Sequence, residues 1–399
     1  MFDRRWRMLH LVVLAGVLAA CTGSSGATDA GQPPEDVAPV DIVTQGDVQR
    51  APDDLGVDAG TPKDVPPPED IAPAIDVPPA IDAGAADDAP ALVDAPALVD
   101  TPAVDVPPAP RDPPPLRPYS HGACPRLVGA PTSDASINRG FRSGGQTRTF
   151  RLIVPRNYDG SSDWPVLFAW HWLNASSGSF VRQGELETAT EQMRFIAIAP
   201  DEQQRPNGDS LFLFDWPFAE TWGVADELTF FDDMLTCVSE QFRVDRRRVH
   251  GVGVSAGGLW LTYLSTTDRA NYFASVEVMS GGLGDVLGVW RMEYAPQPNK
   301  FPAMVLWGGS TDFLGVNFDE ASRRYRDALI RDNHFVEQCV HGSGHAMPPV
   351  EAPADGGTRF RPLWQFLLDH PYGLPPRTSP YQDAGLPPGS PSWCHVATR

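Results

Sequence analysis

The sequence predicts an α/β fold with a mainly parallel sheet covered by helices on both faces. After residue 119, short apolar runs that end in turn residues alternate with helical stretches of ten or more residues. This is the pattern of strands joined by crossover helices. The part of the chain that follows this point has roughly 280 residues, enough for one complete core. One domain of this class is therefore expected over 119–399.

Seven buried strands are predicted from runs rich in apolar residues. They lie at 149–155, 164–170, 195–200, 248–252, 274–279, 301–307 and 334–340. The clearest helix is predicted from Asp226 to Phe242. Its apolar face is formed by Leu228, Phe231, Leu235, Val238 and Phe242. Asp226 or Thr229 is expected to cap its start.

Residues 21–118 differ in composition and are predicted to form a disordered tether. Half of the chain's 42 prolines lie between Thr22 and Pro118, where there is no Phe, Tyr or Trp. The same stretch holds 19 acidic and 4 basic residues, so it carries about −15 of the formal net charge of −20. Such a segment buries too little apolar surface to fold, and its short repeats at 88–93 and 94–99 favour an extended spacer. An acidic tether and a nearly neutral domain give no support to nucleic-acid binding.

The first 21 residues predict export and a lipid anchor. Three arginines precede an apolar run at 8–20 that is too short to span a bilayer as a helix. The run ends in Leu-Ala-Ala-Cys at 18–21, which resembles a bacterial lipobox. This resemblance implies that residues 1–20 are a signal peptide and that Cys21 is lipidated, so that the domain is extracytoplasmic and membrane-anchored. Thr22 at the next position implies the outer membrane.

A nucleophile elbow is predicted at Gly253-Val254-Ser255-Ala256-Gly257. The pentapeptide directly follows the predicted strand 248–252 and precedes an apolar helical run. This is the strand-turn-helix setting in which G-x-S-x-G exposes a serine hydroxyl. Gly253 and Gly257 are expected where there is no room for a Cβ. Ser255 is the predicted nucleophile, and the N–H of Ala256 at the helix N-terminus is a predicted oxyanion donor.

A serine nucleophile needs a base, and the base needs a carboxylate that orients it. In folds with this elbow the chain order is serine, acid, histidine. Asp312 is the leading acid because it lies in a turn directly after strand 301–307, at the expected carboxyl edge of the sheet. Asp285 and Asp319 are alternatives.

The predicted base is His345, in the glycine-rich loop that follows strand 334–340. His341 in the same loop is the competitor. The spacing of these two histidines suits a metal-binding helix, but Gly342 and Gly344 argue against a helix, so no metal site is predicted.

A second oxyanion donor is expected in the loop after strand 164–170. The backbone N–H of Trp172 or Leu173 is the candidate. The side chain of His171 is interpreted as structural, hydrogen-bonded beneath this loop.

Five features together resemble the secreted esterases grouped as polyhydroxybutyrate depolymerase-like and feruloyl esterase enzymes. They are Gly122-Ala-Cys-Pro125, Arg151-Leu-Ile-Val-Pro-Arg-Asn-Tyr158, Phe168-Ala-Trp-His-Trp-Leu173, Asp226-Glu-Leu-Thr-Phe-Phe-Asp-Asp233 and the serine, acid and histidine sites above. The resemblance spans roughly 122–368. It implies an α/β-hydrolase fold and a serine carboxylic-ester hydrolase that acts through an acyl-enzyme. Trp172 replaces a glycine that is usual in this family, and the stretch Gly281 to Phe301, which matches no part of the pattern, is expected to form a lid or a pocket wall.

The sequence predicts the type of reaction more closely than it predicts the substrate. Trp172 and Trp222 are the leading candidates for an aromatic-accepting pocket. Further candidates, equally consistent with core positions, are Trp170, Trp216, Trp260 and Phe313. A hydroxyalkanoate polyester and an acetylated or feruloylated polysaccharide both fit the same triad. The alternative is a non-catalytic surface lipoprotein whose hydrolase-like domain binds a polysaccharide or a protein partner.

Four cysteines remain besides Cys21, at Cys124, Cys237, Cys339 and Cys394. An even number in an exported chain predicts two disulfides, for which three pairings are open. Cys124 is expected to fasten the start of the domain and Cys394 its tail. No nucleotide, flavin or metal motif is recognisable, so a cofactor-free mechanism is predicted.

Overall fold

A computed structural model describes residues 112–205, 208–218, 223–286 and 290–398. The strands are β1 (Ile137–Ser143), β2 (Gln146–Ile153), β3 (Trp164–Trp170), β4 (Ile196–Pro200), β5 (Val244–Val254), β6 (Ser275–Met279), β7 (Gly284–Val286), β8 (Trp290–Met292), β9 (Ala303–Trp307), β10 (Val336–Val340) and β11 (Cys394–Val396). The α-helices are α1 (Ser177–Gln183), α2 (Leu186–Met193), α3 (Val224–Gln241), α4 (Ala256–Leu264), α5 (Phe318–Arg331), α6 (Arg361–Asp369) and α7 (Tyr381–Ala384). Short 3₁₀ helices lie at Asp134–Ser136 and Asp268–Tyr272.

Within the described residues, the main sheet has nine strands in the order β1-β2-β4-β3-β5-β6-β9-β10-β11. The strands from β4 to β10 in this order run parallel, whereas β1, β2 and β11 pair antiparallel at the two edges. β7 and β8 form a separate antiparallel ribbon. The predicted mainly parallel architecture is confirmed, and all seven predicted strands are present. β5 lies at the centre of the sheet, so the turn after β5 emerges in the middle of its carboxyl edge.

The side chains of β3 show how the sheet divides the core. Val166, Phe168 and Trp170 pack on one face, and Leu167 and Ala169 pack on the other. Every residue of the strand is buried. Because helices cover both faces, the strand is apolar throughout instead of alternating between polar and apolar residues.

Helix α3 confirms the predicted amphipathic helix, but its start was predicted wrongly. The N-cap is Gly223, which has a φ of 90° and makes no side-chain hydrogen bond. Asp226 lies inside the first turn, and Thr229 Oγ1 donates to Ala225 O at 2.8 Å instead of capping. A glycine in the left-handed region lets the chain turn sharply into the helix without a side-chain cap.

Residues 112–118 contact the domain, although their composition assigns them to the tether. The carbonyl of Pro115 accepts a hydrogen bond from Tyr272 Oη at 3.0 Å, and that of Arg117 accepts one from Thr236 Oγ1 at 2.7 Å. The domain therefore begins at or before residue 112, earlier than the predicted boundary at 119.

The other N-terminal features predicted from the sequence lie outside the described residues. They are the signal peptide at 1–20, the lipidation site Cys21 and the tether up to residue 111. Among the helices of the described part of the chain, none has the length and apolarity needed to cross a membrane.

Two disulfides join the four predicted cysteines. Cys124 pairs with Cys237 on α3, and Cys339 on β10 pairs with Cys394 on β11. The first bond ties the start of the domain to a core helix, and the second ties the tail to the edge of the sheet. Both ends are fastened as expected, and the pairing left open by the sequence is resolved.

Two buried glutamates lie at the same level of the sheet, on strands that flank β9. Glu277 on β6 and Glu337 on β10 are both in register with Met304 on the strand between them. Both oxygens of Glu277 and Oε2 of Glu337 are buried and have no hydrogen-bond partner among the residues that the structure describes. Burial raises the pKa of Glu337 to about 8; burial, and then the charge of Glu337, raise that of Glu277 well above its ordinary value.

These glutamates make stability depend on pH. Because the folded state holds its protons more tightly than the unfolded state, stability is full below the ordinary glutamate pKa of 4.5 and falls as pH rises toward 8. In wild type, ionisation of Glu337 should lower the free energy of unfolding by roughly 3 kcal/mol between pH 5 and 8. We expect this decrease to be absent in Glu337→Gln. Urea melts at several pH values measure this slope. The exposed Glu240→Gln is the control, and equal slopes in wild type and Glu337→Gln would contradict the prediction.

Candidate active site

The predicted nucleophile elbow is present between β5 and α4. Ser255 has φ 54° and ψ −113°, a strained conformation, and its N–H donates to Met279 O at 2.8 Å. A Cβ on Gly253 would lie 2.2 Å from Gly257 O, and a Cβ on Gly257 would lie 2.3 Å from Trp170 O. Both glycines are therefore required by the close approach of backbone segments, as predicted.

The loop after β10 brings His345 to the nucleophile. His345 Nε2 lies 2.9 Å from Ser255 Oγ. The imidazole stacks on Phe318, with ring centroids 4.6 Å apart and an interplanar angle of 16°. Gly344 N donates to Gly308 O at 2.9 Å, and a Cβ on Gly308 would lie 1.8 Å from Gly344 O. Close backbone packing of these two glycines joins the loop after β10 to the loop after β9.

Asp312 holds the other side of the imidazole. Its Oδ1 lies 2.7 Å from His345 Nδ1. Its Oδ2 accepts hydrogen bonds from Ser280 Oγ at 2.8 Å and from Gly308 N at 2.7 Å. Burial opposes ionisation of this carboxyl, but the three hydrogen bonds outweigh burial and hold the pKa of Asp312 below its ordinary value. The site thus contains an ionised carboxylate that can orient an imidazole toward a serine hydroxyl.

The alternative acids and the alternative base lie elsewhere. Asp319 Oδ1 accepts from Trp307 Nε1 at 2.7 Å and pairs with Arg323. Asp285 is exposed on β7. His341 Nδ1 accepts from the N–H of Ser343 at 3.2 Å, and burial lowers the pKa of His341. The structure brings together Ser255, His345 and Asp312, the three leading candidates.

The loop after β3 is fixed by hydrogen bonds from neighbouring segments. Trp216 Nε1 donates to His171 O at 3.0 Å, and Asn174 N donates to Asp215 Oδ2 at 2.6 Å. Asn174 and Asp215 both have positive φ, of 58° and 65°. His171 is fully buried, and its Nδ1 lies 2.9 Å from Trp172 O. His171 therefore has the structural environment that was expected.

His171 also faces a small acidic group. Its Nε2 lies 3.2 Å from Glu202 Oε2, close enough for an ion pair. The two atoms are not aligned well enough to form a hydrogen bond. Burial opposes protonation, but Glu202 outweighs burial and raises the pKa of His171. His171, Asp201 and Glu202 could together present ligand atoms to a cation. Asp201 Oδ1 already accepts from Ser177 N at 2.7 Å, so this group also serves to hold the loop.

A cavity of about 290 Å³ opens beside the triad. Ser255 and His345 lie in its wall together with Trp172 and Leu173, the residues proposed to carry the second oxyanion donor. The rest of the wall is mainly apolar and consists of Phe180, Gln183, Gly184, Val254, Met279, Ser280, Leu306, Leu314, Ala346, Met347, Pro348, Phe360 and Trp364. An uncharged acyl group suits this lining.

Of the aromatic residues considered for the pocket, one lines the cavity and others are buried in the core. Trp172 is half-buried and lines the cavity. Trp170, Trp216 and Trp260 are buried in the core and do not line it. Phe313 is exposed beside it. Trp222 lies outside the described residues. Sequence inspection overlooked Phe360 and Trp364, because only the packing of α6 brings them to the elbow.

The expectation that 281–301 forms a lid or pocket wall is wrong for the described residues of that stretch. None of them lines the cavity. Leu283 N donates to Ala321 O at 3.0 Å, and a Cβ on Gly282 would lie 2.1 Å from the same carbonyl. This backbone contact holds the start of the stretch against α5.

The chain is similar in sequence to two known hydrolases. No family model matches the chain. The chain is 24% identical over 229 residues to feruloyl esterase D of Neurospora crassa, covering 57% of this chain and 70% of that protein. It is also 24% identical over 326 residues to the oxidized polyvinyl alcohol hydrolase of Sphingopyxis sp., covering 65% of this chain and 84% of that protein.

Solved structures show the same fold. A pOPH variant in complex with DMSO superimposes with a TM-score of 0.55 at 17% identity, covering 71% of this chain and 97% of that one. Native sOPH superimposes with a TM-score of 0.51 at 19% identity, covering 69% of this chain and 95% of that one. The fold and the Ser-His-Asp geometry define an α/β-hydrolase. Together with the similarity to feruloyl esterase D, they support a carboxylic-ester hydrolase.

Proposed function

We propose that the protein hydrolyses carboxylic esters through an acyl-enzyme, with Ser255 as nucleophile, His345 as general base and then acid, and Asp312 as the group that orients His345. The alignment of Ser255 Oγ, the two ring nitrogens of His345 and Asp312 Oδ1, at 2.9 Å and 2.7 Å, carries this proposal. The sharp turn at the elbow leaves the hydroxyl in the cavity wall.

The reaction takes two displacements. His345 Nε2 accepts the hydroxyl proton as Ser255 Oγ attacks the ester carbonyl, and the N–H groups of Ala256 and of Trp172 or Leu173 stabilise the oxyanion. As the tetrahedral intermediate collapses, His345 gives the proton to the departing alcohol. Water then attacks the acyl-enzyme with the same base, and Ser255 leaves with the returned proton as the carboxylic acid is released.

The substrate we propose carries an uncharged acyl group that fits an apolar cavity. Hydroxyalkanoate polyesters and polysaccharides bearing feruloyl or acetyl esters meet this requirement. The name of the first relative, feruloyl esterase D, supports a feruloyl ester as the group that is cleaved, and the name of the second, oxidized polyvinyl alcohol hydrolase, supports a polymeric substrate. Rates on methyl ferulate, acetylxylan and short hydroxybutyrate oligomers, compared side by side, rank these classes.

A fluorophosphonate probe tests the proposal, because it reacts only with an activated serine. We expect covalent labelling of wild type and none of Ser255→Ala. A folded wild type that stays unlabelled would favour the alternative, in which the domain binds a polysaccharide or protein partner without catalysis.

We also propose that Cys21 anchors the domain to a bacterial outer membrane, with the acidic proline-rich segment as spacer. The lipobox-like sequence at 18–21 supports this location. A fatty-acid probe should label the wild type and not Cys21→Ala; equal labelling of both would refute the anchor.

Asp215 is expected to support catalysis by positioning the loop after β3. Asp215→Ala removes the acceptor for Asn174 N and puts alanine at a φ of 65°. The misplaced loop should lower kcat by about 10- to 100-fold with little change in KM, because oxyanion contacts strengthen in the transition state. Steady-state kinetics on a short soluble ester measure both constants.

Asp215→Asn is the matched control. Asparagine tolerates positive φ and can still accept the hydrogen bond through its amide oxygen, so it should stay within about threefold of wild type. Equal loss in both variants would show that the charge of Asp215, and not the hydrogen bond, is what matters.

A further inference from the structure

Three segments that border the cavity carry no exposed charged side chain. The segments 170–181, 306–318 and 338–350 carry the oxyanion loop, the acid and the base. Together these segments contain only one residue of the four charged types, the buried Asp312. In the whole chain, 21% of the residues are Asp, Glu, Lys or Arg. A polyanionic or polycationic substrate would find no opposite charge on these three segments.

The same segments expose apolar side chains at the mouth of the cavity. Phe313 is 65% exposed and directly follows Asp312; Met347 is 44% exposed and lies two residues after His345. We call Phe313, Leu314, Met347 and Pro348 the apolar rim. All of its members except Phe313 also line the cavity, so the rim continues the cavity surface outward.

The exposure of Phe313 is fixed by its backbone. Asp312 N donates to Gly309 O at 2.9 Å, and Phe318 N donates to Asp312 O at 3.0 Å. Leu314 N donates to Val316 O at 3.2 Å within the same turn. A phenyl ring held in water gives up the free energy that its burial would contribute, and apolar groups exposed together next to a pocket commonly mark a binding surface.

The charged residues at the start of α6, next to the cavity, are paired. The segment at the start of α6 that contributes Phe360 also carries Arg359 and Arg361. Arg359 pairs with Glu185 at 3.0 Å, and Arg361 pairs with Asp355 at 2.7 Å. These pairs match each arginine with a carboxylate, so they leave the apolar character of the mouth intact.

We infer that the apolar rim docks an uncharged polyester chain outside the cavity, so that one ester reaches Ser255 while neighbouring monomer units lie across Phe313. This inference rests on the proposed esterase function. A polyester presents methyl and methylene groups and has no hydroxyls along its chain. A polysaccharide presents mostly hydroxyl groups, and only its C–H faces could pack on the rim, so it would bury less apolar surface there than a polyester would.

The test compares a polymer with a soluble ester, using the full chain. Hydrolysis of a poly(3-hydroxybutyrate) film and of p-nitrophenyl butyrate is measured per active site, with sites counted by fluorophosphonate titration. For Phe313→Ser we expect the ratio of film rate to soluble rate to fall at least fivefold, together with the fraction of protein adsorbed to the film. Because the contact is apolar, about 0.5 M NaCl should not weaken adsorption.

Two further variants separate docking from general damage. Phe313→Tyr keeps the ring and should retain the wild-type ratio. Val128→Ser replaces the large apolar side chain that is exposed outside the rim in the described part of the chain. Val128 is 48% exposed, and its backbone N–H donates to Asn138 Oδ1 on the edge strand β1. β1 is six strand spacings from β9, roughly 25–30 Å, so this variant should behave as wild type.

Several results would overturn the inference. An unchanged film-to-soluble ratio in Phe313→Ser would do so, as would adsorption that salt abolishes. An equal fall in the hydrolysis of feruloylated arabinoxylan would point to a polysaccharide, and a dimer in wild type that Phe313→Ser dissociates would point to a second copy of the chain. These results can be told apart from a failure of the proposed esterase function. If that function were wrong, fluorophosphonate would label neither the wild type nor the variants, and none of them would cleave the soluble ester.

Discussion

Asp312→Asn is expected to lower kcat/KM by about 10⁴-fold while leaving the fold intact. Gly308 N is a fixed donor to Oδ2 of Asp312, so the asparagine oxygen should turn toward Gly308 and the amide nitrogen toward His345. His345 Nδ1 would then have to accept, which puts the proton on Nε2. In that tautomer the imidazole cannot take the proton of Ser255. Steady-state kinetics on a soluble ester, with circular dichroism to confirm folding, measure the effect.

Asp319→Asn is the matched control for this loss. Asp319 lies in the same stretch of chain, but its carboxylate bonds to Trp307 and Arg323, whereas Asp312 bonds to His345. It should keep kcat/KM within about threefold of wild type, because no group of the site is disturbed. An Asp312→Asn variant within tenfold of wild type would mean that another group orients the base.

Gly257→Ala should have the largest effect on folding. Its Cβ would lie 2.3 Å from Trp170 O and 2.6 Å from His171 O, both backbone atoms at the end of a central strand. The strand cannot retreat without moving the oxyanion loop that follows it. We expect the free energy of unfolding to fall by about 3 kcal/mol or more, and kcat of any folded protein to fall at least 100-fold. Thermal unfolding and kinetics measure the two losses.

Gly140→Ala separates this steric effect from the general cost of replacing a glycine. Gly140 has a φ of 75°, but a Cβ there meets no atom within 4 Å. Its replacement should cost about 1–2 kcal/mol of stability and leave kcat unchanged. Gly257→Ala with wild-type stability and activity would show that the elbow is not packed as described.

The chemistry of the site was predictable because it depends on short local patterns. Gly253 and Gly257 flank the nucleophile in sequence, and the fold class orders the acid and base after it. The choice of His345 over His341 followed from a glycine-rich loop, and the structure shows the cause: Gly344 packs directly on Gly308. The main strands were equally predictable, since burial on both faces makes them apolar throughout.

What the sequence left out depends on contacts between distant segments. β11 is three residues long, and its pairing with β10 includes the two residues of the disulfide, Cys339 and Cys394. Residues 112–118 look like tether by composition, but core side chains such as Tyr272 bind their carbonyls. Phe360 and Trp364 enter the cavity through the packing of α6. No local pattern encodes these contacts.

During turnover Ser255 should become acylated. Acid-quenching wild type with a slowly hydrolysed ester and measuring the mass of the peptide that contains residue 255 tests this step. We expect that peptide to gain the mass of an acyl group in place of one hydrogen, and the modified form to decay as the ester is consumed. Turnover of the ester with this peptide unmodified, or with the acyl group on another residue, would contradict the proposed role of Ser255.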